Sequence, residues 1–366
     1  MQTVIISTNI EKSLAEAIGK VDHDKLFVLT DETTQQLCLP VISQMDCLKD
    51  ARHIVIGATD THKTLETLAH VWTQLGNGGG TRHSLLVNLG GGMVTDLGGF
   101  AASTFKRGIA YINIPTTLLS MVDASVGGKT GINFNGLKNE VGVFNDADTV
   151  ILDTTFLQTL DSGNLLSGYA EMLKHGLIQT TRTHAEERAG NTADDAGHSK
   201  MLDELLAFDF DDIDYGRLSR MVADSVAVKE RIVQEDPHEH GIRKALNLGH
   251  TIGHAFESFA LTHRPVLHGY AVAWGMVCEL YLSCVKCGFP TKTMRTVVSF
   301  IKEHYGTLPY TCDDYPSLYE LMTHDKKNTA GSINFTLLAD VGDIRINQTA
   351  NREEIYEALD FLRDGL

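Results

Sequence analysis

Along the first half of the chain, short apolar runs alternate with stretches of helical spacing. Lys25–Leu29, His53–Ile56, Ser84–Leu89, Tyr111–Ile114 and Thr149–Leu152 are short, apolar and rich in Val, Ile and Leu, and each reads as a buried strand. Between the second and third of these, Thr61–Leu75 sets Leu65, Leu68, Ala69 and Trp72 on one helical stripe. Strand and helix in alternation predict a mostly parallel sheet with right-handed crossovers. Beyond residue 160 helical spacing takes over, in Leu165–Gln179, Arg217–Gln234, Lys244–Ala260, Gly269–Cys287 and Lys292–His304, and only Ser332–Leu338 reads as strand. The polar stretch Thr180–Lys200 reads as a surface loop or poorly ordered insertion. The expectation is an α/β N-terminal domain with a parallel-type sheet over 1–159 and a mostly α-helical C-terminal domain over 160–366, with the functional cleft between them.

Size and composition agree with two ordinary globular domains: 366 residues, 43% of them hydrophobic. A formal charge of −16 excludes the basic field that a nucleic-acid or anionic-membrane surface requires. It leaves room for an anionic substrate, because a few inward-facing Lys and Arg reverse the potential locally. The first thirty residues lack a basic start followed by an apolar core, and no apolar run approaches a membrane span, so a cytoplasmic protein is expected. Cys38, Cys47, Cys278, Cys284, Cys287 and Cys312 are scattered rather than spaced as a disulfide framework, and Cys284-x-x-Cys287 ends an apolar helical stretch with no second pair.

Candidate chemistry gathers at three places. His250 and His254 stand i,i+4 on one helical face, with His268 a short connection later, and neutral imidazole is a common zinc ligand. Arg243, Asn247, His250 and His254 fit adjoining turns of one helix, as a site stripe or as a solvated face. Gly90-Gly91-Gly92 follows a strand and opens a helix, where backbone N–H groups and the helix dipole suit a pyrophosphate. Thr95 falls where the dinucleotide fingerprint needs its last glycine, so a tight structural turn is the competing reading. Gly127-Gly128-Lys129-Thr130 lacks the earlier glycine of a P-loop, having Asp123 there, which argues against a phosphoryl-transfer ATPase. Lys129 is still able to meet an anion as a point charge, and Pro115-Thr116-Thr117 offers hydroxyls at a strand end. Glu171 and Lys174 stand i,i+3, as a surface ion pair or, given their apolar and small neighbours, on a largely buried helix where a carboxylate needs a cation or metal.

Taken together, GGGMVTDLGGFAASTFKRG, IPTTLLSMVDASVGGKTGIN, KNEVGVF, GYAEMLKHGLI, the spaced Lys229, Glu239 and Arg243, LNLGHTIGHA and LHGYAVAWGM resemble the 3-dehydroquinate synthases among the sugar-phosphate cyclases, from Asp31 to Lys327. The resemblance implies a dehydroquinate synthase-like fold and a Zn²⁺ (or Co²⁺) held by Glu171, His250 and His268. It places NAD against Gly92, Met93, Val94, Thr95, Asp96, Thr116, Thr117, Lys129, Lys138 and the turn Phe156, Leu157, Gln158, Thr159. Asp31 is expected at the adenosine ribose, with Asp60 and Lys63 nearby. Substrate phosphate and carboxylate are expected at Asp123, Lys129, Asn139, Lys174, Lys229, Arg243, Asn247, His254 and a lysine of the Lys326-Lys327 pair, Lys327 being assigned, with Glu239 alongside. Of these, Lys129, Lys174, Lys229, Glu239, Asn247 and His254 are expected to take part in catalysis; Asp123, being acidic, is expected to meet a hydroxyl or orient Lys129. Arg107 corresponds to an arginine that reaches the neighbouring subunit's site, implying a homodimer.

The implied reaction oxidises C5 of 3-deoxy-D-arabino-heptulosonate 7-phosphate with bound NAD⁺, eliminates phosphate, reduces the ketone again and closes the ring by an internal aldol step. The alternatives are an inosose- or valiolone-type cyclase and a metal-dependent alcohol dehydrogenase of related architecture. Arg243, Asn247 and His254 suit a substrate carboxylate and favour the heptulosonate. The chain departs from the family pattern where Thr59-Asp60 replaces a usual Gly-Glu, and also at Thr33 and Thr95.

Overall fold

The computed structural model describes residues 2–179, 196–323 and 333–365. The chain divides into two compact units, Met1–Leu165 with Asp214–Val226, and Leu166–Ile213 with Ala227–Leu366.

In the first unit six strands form one parallel sheet: β1 (Thr3–Ile6), β2 (Leu26–Asp31), β3 (Arg52–Ile56), β4 (Leu85–Gly90), β5 (Ala110–Pro115) and β8 (Thr149–Leu152), in the order β1-β8-β5-β4-β2-β3. Every residue of β2, β4 and β8 is buried, which explains why these strands read as unbroken apolar runs rather than alternating ones. The helix predicted from Thr61 begins at Leu65, capped by the Thr64 hydroxyl, after a 3₁₀ turn at Asp60–His62. Its buried face is Leu68, Val71 and Leu75; Leu65 points outward, and Trp72 instead donates from its indole N–H to Thr104 Oγ1 at 3.1 Å.

An antiparallel hairpin, β6 (Lys129–Phe134) and β7 (Leu137–Phe144), joins this unit and was absent from the expected elements. Its signal is Asn135-Gly136, both at positive φ (50° and 77°), the pairing that a two-residue turn between twisted strands demands. Gly127 and Gly128, at φ 103° and 68°, lead into β6 rather than into a helix, which removes the last likeness to a P-loop.

The second unit is mainly helical, with helices at Ser162–Ile178, Ala196–Leu206, His250–Leu261, His268–Cys287, Thr291–Tyr305, Tyr315–Thr323 and Arg352–Asp364. The helix Tyr215–Glu235 runs from the first unit into the second. One antiparallel pair, β9 (Asn334–Asp340) and β10 (Asp343–Thr349), completes it. β10 carries little sequence signal, since it alternates exposed and half-buried positions and has only Ile344 and Ile346 as apolar residues. Residues 180–195 of the expected loop lie outside the described residues, whereas 196–200 open a helix.

The single helix expected over Lys244–Ala260 is two pieces, a 3₁₀ segment Ile242–Asn247 and the α-helix from His250. Gly249 separates them at φ 79°, a conformation that interrupts the i to i−4 ladder. Arg243 and Asn247 therefore do not share one helical stripe with His250 and His254. Among the described residues no helix is long and apolar enough to cross a membrane.

Candidate functional site

In the second unit three helices meet by close backbone approach at glycines. A Cβ on Gly275 of the helix His268–Cys287 would fall 2.0 Å from Gly249 O, and one on Gly253 would fall 2.9 Å from Ala271 O. A Cβ on Gly269 would fall 1.9 Å from Ser167 O, on the helix that carries Glu171. Ser167 also accepts the Gly269 N–H at its hydroxyl, 3.0 Å away. The glycines of the GHTIGH and HGYAVAWG segments thus act mainly through packing, and they bring the beginnings of two helices to the middle of a third.

At that meeting point Glu171, His250 and His268 offer ligand atoms that all lie within 4.8 Å of one another. Glu171 is fully buried; its Oε2 pairs with the Lys174 ammonium, and its Oε1 accepts no hydrogen bond. That oxygen instead faces His250 Nε2 at 3.5 Å and His268 Nε2 at 3.6 Å. Two ligands about 2.1 Å from one tetrahedral ion stand roughly 3.4 Å apart, so these separations suit a shared cation. The tautomers fit as well. His250 Nδ1 meets the Leu248 carbonyl at 3.1 Å and His268 Nδ1 meets Glu257 Oε2 at 3.3 Å, so in the neutral rings both Nδ1 atoms donate and both Nε2 lone pairs turn toward Glu171. A buried carboxylate oxygen without a hydrogen bond, facing two imidazole nitrogens, is a donor set that fits zinc or a similar ion. His254, whose ring centre is 5.3 Å from that of His250, lies beside this set rather than in it.

Without an ion, the cluster holds protons tightly. Burial works against a charged His268, but its contacts with the Glu171 and Glu257 carboxylates prevail and push its pKa up to about 10. Burial likewise opposes the Glu171 carboxylate, and Lys174 and His268 hold it below the usual carboxylate range. Since the folded His268 pKa exceeds its unfolded value of about 6.5, its stabilising contribution is complete below 6.5 and is lost as pH rises through about 10. The metal-free protein is expected to lose urea resistance over that window more steeply than metal-free His268→Gln; equal slopes for the two would contradict the assignment.

Two more buried carboxylate arrangements shape this unit. Glu279, fully buried, accepts the backbone N–H groups of Gly249 (2.6 Å), Thr251 (3.1 Å) and Ile252 (3.3 Å), neutralising the N-terminus of the His250 helix. Asp236 accepts the backbone N–H groups of His240, Gly241 and Arg243 and so folds the loop that carries Glu239. Within that loop Arg243 is buried and donates to Pro237 O, while Asn247 Nδ2 donates to Glu239 Oε1 at 2.9 Å. Lys229 is buried on its helix. Glu257, Glu279 and Asp236 were not singled out from sequence, since a lone acidic residue in an apolar helix or turn carries no spacing signal.

In the first unit the helix Gly92–Thr104 starts directly after β4, with Gly92, Met93, Val94, Thr95 and Asp96 in its first turns. The glycines here are required by contact rather than by positive φ. A Cβ on Gly90 would lie 2.5 Å from Val94 Cγ2, and one on Gly98 would lie 2.1 Å from Asn88 Oδ1. Lys63, nearly buried, donates to Asp96 Oδ2 at 2.5 Å and to Asn139 Oδ1. Asp60 Oδ2 accepts from Asn133 Nδ2 at 3.1 Å and lies 3.9 Å from Lys138 Nζ. The structure thus gathers Asp60, Lys63, Asp96, Lys138 and Asn139 around the hairpin. Thr116 is buried and its N–H donates to Gly90 O, and the Thr117 hydroxyl accepts from Ser120 N. Asp31 ends β2 and uses Oδ1 to cap the next helix through Thr34 N. Phe156 and Leu157 are buried in the core, leaving Gln158 and Thr159 exposed in that turn. Asp123 sits in a π-helical turn, Lys129 is exposed at the start of β6, and Arg107 is exposed at φ 71°. Lys326 and Lys327 lie outside the described residues.

Thr59 takes φ 75° and ψ 161°, a region essentially reserved for glycine and costing about 1–3 kcal/mol for other residues. Thr59→Gly, after subtracting about 0.4–1 kcal/mol for the freer unfolded chain, is expected to stabilise the protein by about 1 kcal/mol. A thermal melt checks this through a midpoint rise of about 2–4 °C, and a fall would refute it.

Comparison with known proteins first gives the class. The chain shares its fold with a 2-epi-5-epi-valiolone synthase from Streptomyces hygroscopicus, solved with NAD⁺ and Zn²⁺ bound, at TM-score 0.80 and 25% identity over 100% of this chain and 97% of that one. A 2-deoxy-scyllo-inosose synthase, complexed with carbaglucose-6-phosphate, NAD⁺ and Co²⁺, has the same fold at TM-score 0.79 and 21% identity, covering 100% and 96%. The fold is that of the sugar-phosphate cyclases. Within that class, residues 53–167 match the 3-dehydroquinate synthase N-terminal model and 168–328 the 3-dehydroquinate synthase C-terminal model. A 3-dehydroquinate synthase from Parabacteroides distasonis is 54% identical over 365 residues, covering 100% of this chain and 98% of that protein. The chain belongs to the 3-dehydroquinate synthase family.

Proposed function

We propose that the protein converts 3-deoxy-D-arabino-heptulosonate 7-phosphate to 3-dehydroquinate and phosphate, a carbon–oxygen lyase of the shikimate route to aromatic amino acids. The observation that carries this reading is full-length 54% identity to a 3-dehydroquinate synthase, set beside the convergence of Glu171, His250 and His268. NAD and Zn²⁺ (or Co²⁺) are its cofactors, as in the cyclases of the same fold. When bound, the two supply reversible hydride acceptance and Lewis acidity at the substrate.

The chain's own residues do the rest. Glu171, His250 and His268 hold the ion. The first turns of the Gly92 helix, with Asp31, Asp60, Lys63, Thr116, Thr117, Lys129, Lys138 and the Phe156–Thr159 turn, bind the dinucleotide. Lys174, Lys229 and Arg243, three buried cations, bind the phosphate and carboxylate with Asp123, Asn139, Lys327 and His254. Asn247, its amide fixed by Glu239, orients a substrate hydroxyl. Holding the substrate in one pose lets its own phosphate accept the proton lost before elimination, so strong bases are not needed. In the same reading the protein is a homodimer, with Arg107 reaching the neighbouring chain's site.

Incubation with the heptulosonate phosphate, NAD and Zn²⁺ is expected to release phosphate and 3-dehydroquinate with no net NADH. Absence of phosphate release overturns the reading, and accumulating NADH would favour an alcohol dehydrogenase.

A further inference from the structure

We infer that Glu257 is a positioning residue for the metal centre: its carboxylate fixes the tautomer and ring plane of His268. The inference rests on the metal reading above. Glu257 lies on the helix that begins with His250, is 9% exposed, and places Oε2 3.3 Å from His268 Nδ1. That contact ties the body of one ligand-bearing helix to the first residue of the next, across the connecting residues 262–267. His268 begins its helix and its side chain is about a quarter exposed, and among the described residues Glu257 Oε2 is the hydrogen-bond partner that holds its ring on the Nδ1 side. Its counterpart His250 is held through Nδ1 by a backbone carbonyl, an anchor set by the chain itself. At His268 the same task falls to a side chain, and a single substitution removes it.

An ion at Nε2 needs that nitrogen bare and the proton on Nδ1. A carboxylate accepting the Nδ1–H enforces this tautomer and makes Nε2 a better donor; losing such a partner costs roughly 10–100-fold in metal affinity. Zinc affinity measured by chelator competition on the purified full chain tests the proposal, with NAD binding and the melting temperature of the metal-free protein recorded in parallel. Glu257→Ala is expected to weaken zinc binding by about 10–100-fold while NAD binding is unchanged. Glu257→Gln keeps the shape and an acceptor oxygen, and is expected to recover most of that loss. Unaltered zinc affinity in Glu257→Ala overturns the inference. So does an equal loss in both variants that tracks a lower melting temperature, since that pattern marks a packing role. A wild-type chain that binds no zinc would instead sink the metal reading itself. If Glu257→Ala does not fold, Glu257→Met, which fills the same space without an acceptor, takes its place: a zinc loss of about tenfold or more at an unchanged melting temperature upholds the proposal, and unaltered zinc affinity, or a loss that only tracks a lower melting temperature, overturns it.

Discussion

Glu171→Ala is expected to destabilise the metal-free protein by about 3–5 kcal/mol and to abolish zinc binding. Glu171 and Lys174 are 0% and 1% exposed, and the carboxylate is the ammonium's ion-pair partner on the same helix. Removing the acid leaves an uncompensated buried cation, which costs far more than the lost attraction of an exposed pair. Urea denaturation at neutral pH, with zinc content by atomic emission, reads both effects. Adding Lys174→Met to Glu171→Ala should restore most of the stability, because the stranded charge is gone, and none of the zinc. If the double variant were as unstable as the single one, the loss would belong to packing and the electrostatic account would be wrong.

His250→Ala should remove the ion and lower turnover by at least about 10³-fold, since Lewis-acid stabilisation is worth several kcal/mol and each 1.36 kcal/mol is a factor of ten. NAD affinity should persist, as the residues assigned to it lie in the first unit. The instructive control is His254→Ala. Its imidazole stands on the same helical face as His250 but outside the three-residue cluster, so this variant should keep its zinc and lose activity through substrate contacts. Zinc loss in His254→Ala, or full zinc content in His250→Ala, would reverse the ligand assignment.

The contrast between these two histidines shows what the sequence offered. The i,i+4 spacing points to His250 and His254, yet the residues that complete a ligand set with His250 are Glu171 and His268, from other helices. Spacing reports neighbours on one helix surface; a metal site needs neighbours in space. Family motifs, rather than periodicity, singled out that trio. Apolar spacing continues smoothly across Gly249 and predicts one helix over Lys244–Ala260, while the backbone turns there. Asn135-Gly136, by contrast, is a local turn signal, but the second strand around it is exposed along its length and carries no buried apolar run to mark it.

Local pattern alone determined the buried parallel strands, the principal helices and the order of a sheet-bearing half before a helical one, because periodicity and turn chemistry act within a few residues. Tertiary structure alone decided that Gly253, Gly269 and Gly275 would let three helices touch backbone to backbone, that Glu279 would hold the start of the His250 helix, and that Glu257 would face His268. Those contacts join residues remote along the chain, and their geometry follows from close packing, which no single segment encodes.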